Sequence, residues 1–534
     1  MIFIYHFSYK YRDRRRLPTK PIAFFGVFMS EKIRFFRSGI LLTLVGLAMR
    51  TVSMFFGAFI SRTVGAEGTG LFTLVTTVYS FAVTFATSGI SLTVTSLVAQ
   101  ALGEGRPREV GRVMRGALLY SLLFGALATV FLFFGADFLG ARVLSDERTV
   151  ISLKVLSFSL VPGALGAVFA GYFVGVKRVG FNAVVSVFCQ MIKIATTVIL
   201  VTNMAKHGIV SAVVGLCIGI TLTEILGFLL ILLEFIIDRR RHFGRERGQN
   251  PELSSVTRMA LPLALSAYVR SLLLNVEHIL IPKKLAEHGE SMSEAYSHYG
   301  TLHGMAVPLI LYPMSPLSSF SGLLVPEFAE DLAAGRQNRM SKVASAALNA
   351  TLTYSSVCAV FLFVFSEELG YTVYDSYDAG YYISTLSFIV PIMYLDHVAD
   401  SMLKGIGEQV FSMWVNISDS LLSVILVWLL IPRLGIMGYA VVIVLMEAYN
   451  FTLSIIRLRK RISFTVSPAS SVFLPLGVSL IATTITRSLF SFGGSGVSFL
   501  WIFLKMLFAA SITIAILSAL KINKTELKKA IKLK

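Results

Sequence analysis

Apolar stretches of about twenty residues recur from Ser38 to Leu520, and this constrains the fold of the chain more than any other feature. A bilayer core about 30 Å thick is crossed by about 20 apolar residues of helix. Fourteen spans are read on that ruler: 38–61, 71–98, 113–135, 150–175, 181–202, 208–237, 256–281, 304–326, 343–366, 380–400, 410–431, 434–456, 470–490 and 498–520. The seventh is the most amphipathic. Polar residues inside the spans follow the helical period, so no strand is needed. The expected fold is an all-α integral membrane protein. Composition agrees: 55% of residues are apolar and 15% charged, against about 45–50% and about 25% in soluble domains. A soluble enzyme, a secreted disulfide scaffold and a disordered binder are excluded. Cys189, Cys217 and Cys358 lie far apart inside spans and read as small buried hydrophobes.

The net charge of +18 looks like a nucleic-acid signal until its location is considered. Fourteen spans put both ends on one side, and loops on that side carry a large Lys/Arg excess. Opposite loops are slightly acidic. The positive-inside rule therefore places both termini in the cytoplasm. The strongest markers are Arg239, Arg240, Arg241, Arg245 and Arg247, then Arg457, Arg459, Lys460 and Arg461. Anionic headgroups account for these runs, and no nucleic-acid partner is expected.

Residues 1–37 read as a cytoplasmic segment. The first part has no signal-peptide pattern, and Met29 opens a cleaner start, MSEKIRFFRSG. The longest basic loop, 238–255, divides the spans six and six. An N-lobe at 38–237 and a C-lobe at 256–456 are expected to face one cavity as parallel repeats. Helices 13 and 14 follow at 457–520, with a basic tail at 521–534.

Polar residues within spans cost energy and need a reason. A mid-bilayer Arg costs about 2.5–3.5 kcal/mol on insertion scales. Arg50 lies on a stripe of small and polar residues with Thr43, Gly46, Ser53, Gly57 and Ser61. It either pairs with a carboxylate or lines an anion-binding cavity. Span two carries Thr73, Thr77, Ser80, Thr84, Thr87, Ser91 and Thr95 as one hydroxyl stripe along almost seven turns. Such a stripe suits a wetted surface, with helix packing as the rival. Span five repeats the theme with Asn182, Ser186, Gln190, Lys193 and Thr197, and span seven has Ser266, Arg270 and Glu277.

Glu224, Asp396, Asp400, Asp419 and Glu447 are intramembrane acids. They serve either as proton or sodium sites or as counter-charges to Arg50, Lys193 and Arg270. Lys505 is expected to snorkel to the interface. Pro308, Pro313, Pro316 and Pro326 should break span eight. His288, His298 and His303 fit no common metal motif and read as a solvated loop. No phosphate-cradling loop, HExxH or Cys/His/Asp constellation points to an enzyme, a metal or an organic cofactor.

Several ordered motifs add a resemblance. They are GLAMRTVSMFFGAFISRTVGAEGTGLF at Gly46–Phe72, YGTLHGMAVPLI at Tyr299–Ile310, LLVPEFAE at Leu323–Glu330, KGIGEQ at Lys404–Gln409 and IPRLGIMGYA at Ile431–Ala440. Through these the chain resembles the stage V sporulation protein B and polysaccharide-exporter branch of the multidrug/oligosaccharidyl-lipid/polysaccharide (MOP) flippase superfamily. The resemblance implies two six-helix lobes around a central cavity, alternating access and a bacterial inner membrane. It implies a flippase that carries undecaprenyl-diphosphate-linked saccharide, lipid II-like or a polysaccharide repeat unit, to the outer leaflet. The related lipid II flippase uses cavity arginines, and Arg50 matches one in its first helix. Arg270 matches only as a basic residue of the second lobe. Asp396, Asp400 and Asp419 do not reproduce that flippase's sodium site.

On this reading Arg50, Arg270, Lys193, Thr77, Ser80, Thr84 and Ser91 bind substrate. Glu224, Asp396, Asp400 and Asp419 couple Na+ or H+. A cation-coupled drug or metabolite exporter of the same superfamily is the alternative. Outer loops too short for catalysis count against a glycan polymerase or ligase, and the polar stripes count against a scaffold.

Overall fold

Backbone groups facing lipid must be satisfied within their own segment. Helix is accordingly the only regular structure among the described residues of the computed structural model, which are 21–104, 106–176, 179–242, 253–490 and 499–532. For residues 21–48 and Arg50 only the backbone is described. The start at Met29 and most of the basic linker and tail therefore lie outside the described side chains.

In chain order the first helices are α1 (Pro21–Thr87), α2 (Ile90–Gly103), α3 (Pro107–Phe138), α4 (Val150–Ser157), α5 (Leu160–Gly175), α6 (Val179–Met204) and α7 (Ile209–His242). Then come α8 (Leu253–His288), α9 (Met292–Tyr299), α10 (Val307–Leu311), α11 (Ser315–Ala333), α12 (Gln337–Val364), α13 (Ser366–Tyr374) and α14 (Tyr377–Ser387). The last are α15 (Val390–Gly405), α16 (Gln409–Leu434), α17 (Ile436–Arg461), α18 (Leu474–Leu489) and α19 (Phe499–Lys532).

Among the described residues nine helices are long and apolar enough to cross a membrane, or up to twelve when each of three bent pairs counts once. The fourteen expected spans are consistent with this. The stretch Thr51–Leu102 counts as one helix of 52 residues, yet at about 1.5 Å per residue it far exceeds one crossing. Non-helical backbone at Gly65 interrupts it, φ 73° and ψ −179°. The amphipathic α8 is not among the helices counted.

Proline accounts for the bends. The pair Glu147–Ser157 and Leu160–Gly175 meets at 43°, and Tyr377–Ser387 with Val390–Gly405 at 62°. Pro162 and Pro391 stand just past these joints and lack the N–H that would close the turn. The chain makes tighter bonds there instead, from Ser159 N to Leu156 O at 3.1 Å and from Ile389 N to Leu386 O at 3.1 Å.

The local structure repeats along the chain. Arg106 and Arg336 each precede a helix, with φ/ψ of −110°/61° and −84°/56°. Each donates its backbone N–H five residues back, to Ala101 O and to Asp331 O, both at 2.8 Å. Further on, Asp146 N bonds Gly140 O at 2.9 Å and Ser376 N bonds Gly370 O at 3.3 Å. The helix that follows begins after Asp146 or Ser376, both extended and both capping it with their side chains. The same turn and cap conformations thus occur at two places in the chain.

The compact units do not follow the expected lobe boundaries. One gathers residues up to Phe59, Thr301–Asp419 and Ala440 onward; the other gathers Ile60–Gly300 and Ser420–Tyr439. In the second, α8 and α9 join the N-terminal helices. A side chain at Gly70 would collide with the backbone of Tyr296, and one at Gly300 with that of Gly70. Between lipid-embedded helices close packing replaces the hydrophobic drive, and small residues permit it. Each unit has its own apolar core, around Val94, Ala117 and Phe169 in one and Phe328, Leu348 and Met402 in the other.

Candidate functional site

In the unit containing Ile60–Gly300, the hydroxyls of span two spend their protons on their own helix. Thr77 donates to Thr73 O at 2.8 Å, Ser80 to Thr77 O at 2.7 Å and Thr84 to Ser80 O at 2.8 Å. Each oxygen keeps lone pairs, so the stripe is an acceptor surface. Thr77 is buried, Thr84 half-buried and Ser80 exposed.

The stripe does not run unbroken. Gly89, at φ 77° and ψ −24°, separates α1 from α2. A side chain there would strike the Ala260 carbonyl, so only glycine suits both the left-handed turn and the close approach. Ser91 and Thr95 therefore belong to another helix. The backbone of Ser91 packs on Gly171 and that of Thr95 on Gly175, and Thr95 donates to Gly171 O at 3.0 Å.

Helix α8 lies against the stripe. The Tyr268 hydroxyl donates to Phe85 O at 2.9 Å, and Ser271 to Thr84 Oγ1 at 3.4 Å. Asn275 donates to Ser271 O at 2.6 Å. Arg270, next to Ser271 in sequence, is exposed and has no ion-pair partner among the described residues. The helical period turns it to the other side of α8, away from the face that Tyr268, Ser271 and Asn275 present to the stripe.

A second polar patch in this unit was partly legible. Glu224 is exposed, lies within electrostatic reach of Lys193 and Tyr79, and sits beside Gly163. Tyr79 shares a hydrogen bond of 2.7 Å with Ser159. Tyr79 has no polar periodicity of its own, so spacing did not flag it. Glu277 is 8% exposed and lies within electrostatic reach of Tyr299 and Tyr439. Tyr299 also bonds His278 Nδ1 at 3.1 Å.

In the other unit, Asp396, Asp419 and Glu447 lie within electrostatic reach of one another. Ser454 hydrogen-bonds Asp396, whose Oδ1 is buried without a partner. Asp400 stands apart from this group in its bonding, paired with Lys404 at 2.5 Å. Among the described residues no three His, Cys, Asp or Glu side chains are placed to hold a metal ion. Lys505 is buried against Glu368 at 3.4 Å, which replaces the snorkelling expected of it.

Span eight is broken as its prolines require. A π-helical stretch Gly300–Ala306 leads into α10, and a 3-10 turn Tyr312–Met314 separates α10 from α11. Pro316 cannot donate to Tyr312 O, and Ser315 Oγ does so at 2.6 Å. Tyr394 and Tyr354 hydroxyls reach Ile310 O and Pro313 O, both at 2.7 Å. Thr51 meets the Tyr312 hydroxyl at 2.6 Å, so helix one packs on this broken segment. The side chain of its neighbour Arg50 lies outside the described residues.

Helices long and apolar enough to cross a bilayer, with polar residues placed inside them, define a multi-pass membrane protein. The sequence comparisons narrow the class. A family profile described as "Polysaccharide biosynthesis protein" matches residues 35–332, more than half of the chain. A second profile, MatE, matches residues 304–429. The chain belongs to the polysaccharide biosynthesis protein family.

It is similar to the stage V sporulation protein B of Bacillus subtilis (strain 168), 24% identical over 420 residues, with 77% of this chain and 81% of that protein covered. Its fold resembles that of the lipid II flippase MurJ in an inward closed conformation. The TM-score is 0.68 at 16% identity, covering 91% of this chain and 99% of the other. An inward-facing multidrug resistance MATE family transporter gives a TM-score of 0.57 at 17% identity, covering 78% and 98%.

Proposed function

We propose that the protein is a flippase for undecaprenyl-diphosphate-linked saccharide, lipid II-like or a polysaccharide repeat unit, moved from inner to outer leaflet by alternating access. The observation that carries this is the polar Thr77–Ser80–Thr84 face within a membrane-crossing helix, with Arg270 exposed on the neighbouring helix and without an ion-pair partner among the described residues. A diphosphate offers only acceptors and suits a guanidinium fork. Sugar hydroxyls offer donors, and the exposed Ser80 oxygen is the part of the stripe open to accept them. Arg50 and Lys193 would supply further positive charge, and Ser91 the end of the polar track. Membership of a polysaccharide biosynthesis family, and likeness to a protein named a lipid II flippase, support the reading. The charge bias of the loops supports a bacterial inner membrane with both termini cytoplasmic.

Coupling to Na+ or H+ is assigned to Asp396, Asp419 and Glu224, with Asp400 a weaker member because Lys404 already pairs with it. A second reading, a cation-coupled exporter, is favoured by the MatE match over 304–429, which contains Asp396 and Asp419. Flipping of lipid II in proteoliposomes tests the first reading, with wild type beside Arg270→Ala and Arg50→Ala. Transport by wild type, strongly reduced in Arg270→Ala with unchanged thermal unfolding, is the expected result. An intact protein that leaves lipid II unmoved but exports a cationic dye along an ion gradient would support the exporter.

A further inference from the structure

A cavity of about 480 Å³ opens on the unit containing Ile60–Gly300, lined by Leu118 and Leu122 of α3, Leu165 of α5, and Phe228 and Leu232 of α7, with Arg115 at one end. Every lining residue but the arginine is apolar. Leu122 is 47% exposed, so the trough is open along its side. Arg115 is half-buried, and its Nε donates to Gly111 O at 3.2 Å. No carboxylate among the described residues pairs with it. We infer that this trough binds an anionic phospholipid, its phosphate on Arg115 and an acyl chain along the leucines.

The argument is one of charge and length. A half-buried guanidinium inside an apolar span is costly unless an anion meets it, and the described residues supply none. The terminal nitrogens remain available for a bidentate phosphate contact. Arg115 lies eight residues into α3, about 12 Å from its start, within reach of a headgroup through its own flexible stem. From Arg115 to Leu122 the trough follows α3 for about 10 Å, parallel to the course of an acyl chain. The volume falls within the range of small-molecule sites. A zwitterionic lipid would bring its own cation to an already cationic end. A lipid with a net negative headgroup neutralises it.

This inference is independent of the transported substrate. The test is native mass spectrometry of the full-length purified protein, titrated with phosphatidylglycerol or with phosphatidylcholine of the same chains. Wild type should retain one phosphatidylglycerol about tenfold more tightly than phosphatidylcholine, whose choline cation opposes the guanidinium. Arg115→Gln should remove that preference. Leu122→Trp, which fills the trough and keeps the charge, should lower retention of both lipids. It also serves if Arg115→Gln fails to fold. Equal retention of both lipids by wild type, or an unchanged preference in Arg115→Gln, would overturn the assignment. Displacement of phosphatidylglycerol by equimolar undecaprenyl phosphate would also overturn it, making the trough a substrate site.

Discussion

Ser145 and Asp375 share one unusual backbone conformation, φ/ψ of 59°/29° and 57°/39°. They are the two non-glycine residues with positive φ among the described residues. Each is followed by a residue that caps the next helix with its side chain. The same strained link thus occurs once in each half of the chain.

A left-handed conformation costs an L-residue about 1–2 kcal/mol, and Asp and Ser tolerate it better than branched residues. Asp375→Gly and Ser145→Gly should therefore be neutral or stabilising, while Asp375→Val should lower stability by about 1–2 kcal/mol. Thermal unfolding in detergent checks this, and destabilisation by both glycine variants would contradict it.

Glu408, next to last in the KGIGEQ motif, clamps the basic end of α17. Arg457 Nη2 donates to it at 2.7 Å and Arg461 Nε at 2.5 Å. The Arg457 hydrogen bond, joined by that from Arg461, holds the Glu408 carboxyl below the usual carboxylate range. A depressed folded pKa gives stability that is present above the unfolded value of about 4.3. That stability is lost as pH falls through the folded value. Glu408→Gln should unfold at a lower temperature than wild type at pH 7, and the two should converge in acid. Parallel curves across that range would refute the clamp.

Asp331 sits with a side-chain exposure of 1% where α11 turns into α12, accepting from Arg336 at 2.7 Å and Arg339 at 3.0 Å. Both arginines are substantially exposed, so the pairing is screened on one side. Asp331→Ala should cost about 1–3 kcal/mol by removing two charge-assisted hydrogen bonds made by a buried carboxylate. Glu330→Ala, at a residue whose side chain is 72% exposed, should change stability by less than about 0.5 kcal/mol. Equal effects would show that burial of the carboxylate is immaterial.

Arg270 is exposed and unpaired among the described residues, so its removal leaves no stranded partner. Arg270→Ala should keep the wild-type unfolding temperature while reducing flipping about tenfold or more. Arg270→Lys should recover part of that loss, since it restores charge without the fork. Full activity in Arg270→Ala would remove this residue from the substrate path.

Much of this protein is determined by local sequence. Runs of about twenty apolar residues can satisfy their backbone in lipid only as helix. The spans, the proline break of span eight, and the hydroxyls facing one way from Thr73 to Thr87 follow without knowledge of neighbours. Tertiary structure decided the rest. The stripe ends at Gly89 because the Ala260 carbonyl lies where a side chain would be. Glu277 is drawn in toward Tyr299 and Tyr439, while Arg270, two turns away, stays exposed. Asp396, Asp419 and Glu447 come from three helices, and their meeting depends on how those helices pack. Arg115 reads as one more basic residue near a helix start until α5 and α7 build an apolar trough beside it. Helical period is a property of one segment, whereas the partner of a charge in lipid is set by which helix lies against which.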